Sequence, residues 1–395
     1  MKASISTRAY VAWILGCLCL GCMSVDIVRA ILHLHEEKPK HSIANISTPF
    51  EQHPESGRFV QENGPRSSFR PDFSPNNLRN SFQRNNFVVL RAFRESLGEA
   101  WKSTVRLLDG EQQVALGAVV HPDGWVITKA SQLPIQGDII CQLFDGTDTV
   151  AQLVNERLDL DLALLRVSEH NLPAVTWEIG FVPVRGSWLA TTDANAIPTS
   201  VGVVSTGTQR VPRSQPVLGV LLEPSAAGAA VKEVIENSGA KQAGLQQGDN
   251  IYSIDGQKVR SRNDLVRVIK DRFGGEVVTL GVDRAETLFD IKARLMDLPP
   301  ELLEASELEV NGPVSRRSTG FDHVFLHDTV LKPSDCGGPV VNLNGQVVGL
   351  NIARAGRVAS YALPASIIKP LVEQLIEEAK LVSKRFPENQ SSEIR

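Results

Sequence analysis

Apolar and polar residues alternate with a period of two over most of the chain between residues 103 and 205. The alternating runs are separated by the turn dipeptides Asp109-Gly110, Asp123-Gly124 and Asp145-Gly146. A period of two is typical of strands with one buried face, and Asp-Gly favours tight hairpin turns. The pattern predicts an antiparallel β-barrel or sandwich, with strands over 103–108, 114–120, 125–128, 139–144, 149–154, 162–167, 189–191 and 201–205.

Helical spacing of apolar residues occurs in three places. A short lead-in helix is predicted over 88–101, a second helix over 263–271, and a longer amphipathic helix over 365–380. Strands return before the last helix, at 340–341 and 347–352. The chain is therefore predicted to be mainly β, with helices confined to a few positions.

Composition and charge narrow the class of protein. A chain of 395 residues is long enough for two to three domains, and its net charge is −4. The basic stretches are short and scattered, so no nucleic-acid partner is expected. No cysteine spacing indicates a zinc site, and we expect neither a metal nor a cofactor.

The first 30 residues have the layout of an export signal. Lys2 and Arg8 precede an apolar run, and Val28-Arg29-Ala30 offers small residues for cleavage before Ile31. The run is about 17 residues long, which is the lower limit for spanning a bilayer, so an uncleaved membrane anchor is an alternative. Lipidation at Cys22 is another. All three interpretations predict an exported protein that is periplasmic or membrane-anchored outside the cytoplasm. Contact with a membrane is expected only through this segment.

The segment over 31–87 is rich in Pro, Asn, Ser and Gln and is predicted to be a disordered linker. A polar tail is predicted over 381–395. Three of the five cysteines lie in the first 30 residues, which leaves Cys141 and Cys336. A disulfide between these two is possible by count, although the sequence cannot establish their proximity.

Several motifs resemble the HtrA (Deg) family of trypsin-like serine proteases. Residues 116–128 (LGAVVHPDGWVIT) resemble the strand-turn-strand motif that leads to the catalytic histidine in that family. The blocks at 161–167, 202–205 and 328–339 follow in the family's order, and the last resembles the nucleophile segment. The resemblance covers about 88–378. It implies a trypsin-like double antiparallel β-barrel, whose first part is expected over 88–213 and whose second part is expected over 319–380.

A second resemblance lies inside the first. A bacterial PDZ domain is resembled by two motifs, Val217 to Val220 and the glycine-containing run from Gly239 to Asp249. This α+β domain is predicted over 214–294, and a linker is predicted to follow it over 295–318. The module therefore interrupts the second barrel. A PDZ domain implies binding of extended peptides or protein C-termini along a strand edge. The expected peptide-binding residues are Leu218, Gly219 and Val220 on one side and Leu265, Val268 and Ile269 on the opposite helix.

The resemblance also assigns catalytic positions, and most of them are altered. Asp161 matches the family's catalytic aspartate, but Ser131 stands where the histidine belongs, Cys336 replaces the nucleophilic serine, and Ser334 replaces an oxyanion-hole glycine. A serine hydroxyl cannot serve as the general base. The alternative to a catalytic role is a structural one, in which Asp161 is only a buried carboxylate and Cys336 is only a small buried apolar residue.

Three functions follow from these features. The favoured one is an exported, catalytically impaired HtrA-like protein that binds peptides or misfolded proteins in envelope protein quality control, as a homo-oligomer or with other HtrA-type subunits. An active endopeptidase using Cys336 is the second, and His327 is then the candidate base, because His121 lies about 20 Å along its strand from Ser131. A non-enzymatic interaction scaffold is the third.

Overall fold

A computed structural model describes residues 85–225, 228–297, 313–356 and 359–385, with side chains as far as residue 381. The predicted signal segment, nearly all of the predicted linker over 31–87 and most of the polar tail lie outside these residues. Residues 298–312, which belong to the predicted linker over 295–318, also lie outside the described residues.

The first six strands close into a barrel in the order β1-β2-β3-β6-β5-β4. Antiparallel hairpins connect consecutive strands except β3 and β4, and Asp-Gly turns lie in three of these hairpins, as the sequence predicts. Apolar residues at alternate positions, among them Leu107, Val126 and Leu165, fill the barrel and are fully buried. The strands are β1 (Thr104–Asp109), β2 (Gln112–His121), β3 (Trp125–Lys129), β4 (Ile139–Gln142), β5 (Asp148–Arg157) and β6 (Leu162–Arg166).

A second six-stranded barrel is interrupted by a large insertion. Its strands β7 (Trp188–Thr191) and β8 (Ser200–Val211) precede the insertion, and the other four follow it. β8 is longer than its prediction over 201–205 because its second half pairs with a strand from beyond the insertion. The strands of the insertion are β9 (Pro216–Val217), β10 (Val220–Pro224), β11 (Ala229–Val234), β12 (Asn250–Ile254), β13 (Gln257–Lys258), β14 (Val277–Arg284), β15 (Thr287–Arg294) and β16 (Met296–Asp297); those that complete the barrel are β17 (Phe321–His327), β18 (Pro339–Val341), β19 (Val347–Arg354) and β20 (Ser360–Pro364).

The insertion is a domain with its own sheet and its own apolar core. The sheet order is β10-β11-β12-β14-β15, so β10 is an edge strand. β9 and β16 pair with each other where the chain enters and leaves the domain. These findings confirm a trypsin-like double barrel that contains an inserted α+β domain.

Four α-helices complete the described fold, namely α1 (Phe87–Leu97), α2 (Gly239–Gln242), α3 (Arg262–Lys270) and α4 (Ala365–Arg385). The predicted lead-in helix over 88–101 ends early because Gly98 adopts a positive φ of 55°, and a 3₁₀ turn over Ala100–Ser103 follows. The apolar face of α4, which includes Ile368 and Leu375, packs on the second barrel. Among the described helices, none has the length and apolar composition needed to cross a membrane.

Candidate functional site

Asp161 is a buried carboxylate in the turn that precedes β6. Its oxygens accept hydrogen bonds from the Ser131 backbone N–H (2.7 Å) and the Ser131 hydroxyl (2.9 Å). Its backbone carbonyl accepts from the Ala130 N–H. The turn holds Asp161 at a positive φ of 59°, which aspartate tolerates better than most residues. The aspartate and the residue in the histidine position are therefore brought together, as the family pattern implies.

Lys129 supplies the positive charge beside Asp161. Its Nζ lies 2.5 Å from Asp161 Oδ2, and the two side chains are 0% and 3% exposed. The same Nζ donates to the backbone carbonyl of Arg317 at 2.9 Å. In a working triad the aspartate holds an imidazole. In this protein an ammonium group from the adjacent strand bonds the same carboxylate.

The inserted domain packs directly on Ser131. A Cβ built on Gly275 would lie 2.4 Å from the Ser131 Cβ, so only glycine fits at 275. Arg294, from the inserted domain, donates to the carbonyl of Leu133 at 2.8 Å. The backbone of the insertion thus lies against one side of the Ser131 side chain, and a cavity of about 150 Å³ remains on another side, lined by Ser131, Asp161 and Arg317.

Cys336 is fully buried at the start of the Gly-Gly-Pro turn before β18. Its Sγ lies 3.7 Å from the Ser315 hydroxyl and 3.9 Å from the carbonyl of Lys332. Burial raises the pKa of the Cys336 thiol, and the nearby Lys129 ammonium opposes that shift. The thiol is therefore protonated at neutral pH, and its nucleophilic form is scarce.

The loop before Cys336 forms a 3₁₀ turn over Pro333–Asp335. The Cys336 N–H, which is an oxyanion-hole donor in the family pattern, donates to the carbonyl of Pro333 at 3.1 Å. Ser334 is not among the residues with positive φ, so its Cβ causes no strain here. An oxyanion hole needs N–H groups aimed at the substrate oxygen. In this conformation the Cys336 N–H is already bonded to Pro333.

Residues 313–318, which we call the returning segment, connect the inserted domain to the second barrel across this site. The Ser315 N–H donates to the carbonyl of Arg354, and the Arg354 N–H donates to the Ser315 hydroxyl. Arg317 is 1% exposed and lies over the rings of Phe273 and Phe321, at 4.3 and 4.8 Å from their centroids. The returning segment therefore covers Cys336 with the chain's own residues.

His327 does not serve as the base for Cys336 in this conformation. It is fully buried in β17, and no hydrogen bond joins its ring to Sγ, whose polar contacts are with Ser315 and Lys332. Burial lowers the pKa of His327 to about 4, so the imidazole is neutral at physiological pH. His121 lies at the exposed end of β2 beside Asp123.

The buried His327 predicts a loss of stability in acid. The unfolded chain binds a proton near pH 6.5, whereas the folded protein binds it only near pH 4, so stability is retained above 6.5 and lost as the pH falls toward 4. This group should contribute a loss of about 2–3 kcal/mol. Urea unfolding at about pH 7 and about pH 4.5 should show a smaller acid loss for His327→Leu than for the wild type; equal losses would contradict the assignment.

A groove in the inserted domain lies between the edge strand β10 and helix α3. Its volume is about 750 Å³, and its walls are mostly apolar. The predicted residues Leu218, Gly219, Val220, Leu265 and Ile269 all line it, although Leu218, Leu265 and Ile269 also belong to the domain core. The sequence prediction missed several lining residues, namely Val266, Met296, Pro313 and Val314.

The prediction of Val268 on the inner wall is wrong. Val268 packs partly buried against the domain core, and the neighbouring Val266, which is 39% exposed, lines the groove instead. The reason is the angular order around α3: at about 100° per residue, Val266 lies on the side of Leu265 that carries Ile269, whereas Val268 lies on the other side.

The loop at one end of the groove is fixed by bonds to its carbonyls. The carbonyl of Leu218 accepts from the Ala240 N–H, and the carbonyl of Gly219 accepts from the Ile235 N–H. Gly219 has a φ of +85°, and a Cβ there would lie 2.1 Å from the Ser238 Cβ. Because a trans peptide places its C=O and N–H on opposite sides, the N–H groups of Gly219 and Val220 are directed away from these partners.

Two kinds of comparison with known proteins match this architecture. The family model described as PDZ domain matches residues 216–295. A probable periplasmic serine endoprotease, DegP-like, of Pseudomonas putida is 24% identical, over 72% of this chain and 76% of that protein. A protein of the same name from Pseudomonas fluorescens is 30% identical, over 43% of this chain and 35% of that protein.

Solved structures of the same group are also similar to the chain. The HtrA-type protease AlgW with decapeptide is 17% identical, with coverage of 53% of this chain and 99% of that one and a TM-score of 0.25. The serine endoprotease from Yersinia pestis is 16% identical, with coverage of 52% and 98% and the same TM-score. The chain is therefore similar to DegP-like serine endoproteases over about 72% of its length, and the PDZ domain model matches its inserted domain over residues 216–295.

Proposed function

We propose that this protein binds peptides or exposed protein C-termini through its PDZ groove and does not cleave them. The observation that carries the proposal is a contrast between two sites. The groove presents an apolar cavity of about 750 Å³, whereas Cys336 is fully buried beneath the returning segment. Binding therefore has a site that a ligand can enter, whereas the thiol at the nucleophile position is closed to solvent in this conformation.

The groove has the parts that a C-terminal peptide needs. β10 is an edge strand whose outer side can pair with one more strand. The N–H groups of Gly219 and Val220 would bind the terminal carboxylate, and the walls formed by Leu218, Leu265 and Ile269 would take an apolar terminal side chain. A short peptide loses much freedom on binding, so the affinity should be micromolar, about −8 kcal/mol.

Impaired catalysis is supported by four features of the site. Ser131 replaces the general base, the Cys336 thiol is protonated, its N–H is bonded to Pro333, and the returning segment covers it. No hydrogen bond supplies Cys336 with a base among the described residues. The active cysteine-type endopeptidase is therefore disfavoured.

We place this activity outside the cytoplasm, in envelope protein quality control. The relatives named periplasmic serine endoproteases support this placement, as does the export signal predicted over 1–30. Cleavage before Ile31, a retained anchor and a lipidated Cys22 are distinguished by the mass of the mature N-terminus.

The groove is tested by screening C-terminal peptides with apolar last residues against the full-length protein by fluorescence anisotropy. We expect micromolar binding that is weakened about tenfold or more by amidation of the peptide. Val266→Lys, in the groove wall, should weaken binding similarly. Leu288→Lys is the matched control, because Leu288 is an exposed apolar residue (65%) on β15, at the opposite edge of the sheet.

Two results would refute peptide binding by this site. One is the absence of binding by any peptide of the screen, and the other is binding that is indifferent to both amidation and Val266→Lys. Either result would favour the scaffold function. Partners would then be expected at exposed apolar residues of the barrels, such as Val182, Val184 and Trp188.

A further inference from the structure

We infer that the groove selects peptides with acidic side chains at positions −2 and −4, counted back from the C-terminal residue as position 0. The inference rests on the proposed peptide binding and names the class of peptide that the site takes. It is carried by the placement of two unpaired cations, Arg262 and Lys270, along the outer lip of the groove.

Arg262 and Lys270 lie on the same side of helix α3 as the groove-lining residue Val266. They stand four residues before and four residues after Val266, and residues at that spacing are neighbours on one face of a helix. At about 100° per residue, Arg262 falls between Val266 and Ile269, both of which line the groove. Arg262, Val266 and Lys270 are exposed, so this face of α3 forms the solvent-facing lip of the groove.

The charges of the two side chains are not compensated within the described part of the chain. Neither the guanidinium of Arg262 nor the ammonium of Lys270 has an ion pair or a hydrogen bond with another described residue. The acids at the two ends of the helix, Asp264 and Asp271, lie on the far side of α3 from Val266. The lip therefore presents a positive potential to an anionic ligand.

Two acids line the groove, and both are already engaged. Glu236 follows the residue that donates to the Gly219 carbonyl, so it lies beside the proposed carboxylate-binding loop, and it pairs with Lys241 at 2.7 Å. Asp297 accepts hydrogen bonds from the backbone N–H groups of residues 318 and 319, at 2.9 and 2.8 Å. These acids therefore leave the two cations of α3 available to a ligand.

A peptide added to β10 would present alternate side chains to α3. Val220 and Leu222 pack against the domain core, to which the inner side of α3 also belongs, whereas Leu221 and Glu223 point to the other face of the sheet. A strand paired with β10 alternates in the same way. Residues 0, −2 and −4 of the peptide would therefore face α3, and residues −1 and −3 would face the side of Glu223.

The length of α3 sets which peptide positions meet Arg262. The Asp271 carbonyl accepts from Arg213, which precedes β9, so the C-terminal end of α3 is the end beside the loop. Ile269, at that end, belongs to the proposed pocket for the terminal side chain. Arg262 lies seven residues earlier, about 10 Å along the helix axis. A strand covers that distance in about three residues, so Arg262 lies opposite positions −2 and −4.

The probes are two synthetic peptides of identical composition and identical apolar C-terminal residue, measured by fluorescence anisotropy on the full-length protein. The first has Glu at positions −2 and −4 and Ser at −1 and −3, and the second exchanges them. Their equal net charge removes any difference due to non-specific attraction. We expect the first to bind about three to ten times more tightly at about 50 mM salt, because an exposed ion pair changes an affinity by up to about fivefold. The ratio should approach one at about 1 M salt.

Charge reversal assigns the preference to the lip. In Arg262→Glu the first peptide should lose its advantage, and continued binding of the second peptide shows that the variant is folded. Arg267→Glu is the matched control, because Arg267 is turned about 100° from Val266 on the side away from Ile269. It makes the same change of charge on the same helix and should keep the wild-type ratio.

The outcomes separate this selectivity from the peptide binding on which it rests. Equal affinity of the two peptides for the wild type overturns the selectivity and leaves peptide binding intact. A preference that persists in Arg262→Glu, or that is lost equally in Arg267→Glu, also overturns it. Failure of both peptides to bind, together with failure of every peptide in the apolar-ended screen, refutes peptide binding itself and the selectivity with it.

Discussion

Lys129→Met should lower the free energy of unfolding by about 3–5 kcal/mol, the largest effect we expect from a single substitution in this protein. Lys129 and Asp161 are almost completely buried, and their charged atoms are 2.5 Å apart. Removing the ammonium leaves a buried carboxylate without its directly bonded counterion, and the two hydrogen bonds from Ser131 offset only part of the desolvation of that charge. The loss is a large part of the 5–15 kcal/mol that typically stabilises a domain. Urea unfolding followed by tryptophan fluorescence measures it.

Lys102→Met is the matched control. Lys102 Nζ lies 2.5 Å from Glu99, the same distance as in the buried pair, but both side chains reach solvent (29% and 78% exposed). Exposed pairs contribute about 0–1 kcal/mol, so this variant should unfold almost as the wild type does. Combining Lys129→Met with Asp161→Asn should recover much of the loss, because no buried carboxylate is then left without its bonded ammonium. A single Lys129→Met variant as stable as the control would show that Asp161 does not depend on the ammonium.

The strands of the first barrel were predictable because their signal is local. A period of two and Asp-Gly turns depend on neighbouring residues alone, and each of the six predicted strands is present with its ends shifted by up to three residues. Helix α3 was predicted within one residue at each end. The order of the family motifs also placed Ser131 next to Asp161, which the structure shows as two hydrogen bonds.

The partners of Asp161 were not predictable in the same way. Lys129 lies at the end of β3, where a lysine usually reaches solvent, and its burial follows from the pairing of β3 with β6 and from the carbonyl of Arg317. A signal was nevertheless present, because the motif that ends in the catalytic histidine reads Thr-Asn-Ala-His in the family, and the residues at those positions here are Thr128, Lys129, Ala130 and Ser131. A change of charge at that place is a reason to look for a new partner of the aspartate.

The returning segment was predicted to be part of a linker because its residues are polar and charged. Arg317 is buried nevertheless, because its guanidinium donates to the carbonyls of Asp159 and Gly320 and stacks on two phenylalanine rings. Those partners are up to about 160 residues away in the sequence, so no local pattern contains them. Whether a buried cation finds hydrogen-bond acceptors that are distant in the sequence depends on the fold and not on its neighbours in the chain.

The protein should not hydrolyse an unfolded protein substrate at a rate above the background. Loss of a triad member lowers kcat by about 10⁶-fold in a related enzyme class, and here the base is absent while the nucleophile is a protonated, covered thiol. Release of fluorescence from labelled casein, with an active DegP-like relative as the positive control, measures this. Turnover that is abolished by Cys336→Ala would show that the thiol is an active nucleophile.

Restoring the family residues at two positions should not restore activity. The double variant Ser131→His and Ser334→Gly replaces the base and the oxyanion-hole residue, but three obstacles stay. Gly275 packs against the side chain at 131, Lys129 remains bonded to Asp161, and the returning segment still covers Cys336. A new imidazole would therefore have to displace Lys129 from the orienting carboxylate that general-base catalysis requires, and Gly275 would restrict the positions its ring can take. Cleavage of casein by the double variant at more than about a hundred times the wild-type rate would contradict this prediction. The residues at positions 131 and 334 would then account for the impaired catalysis, without a contribution from the packing of the inserted domain over the site.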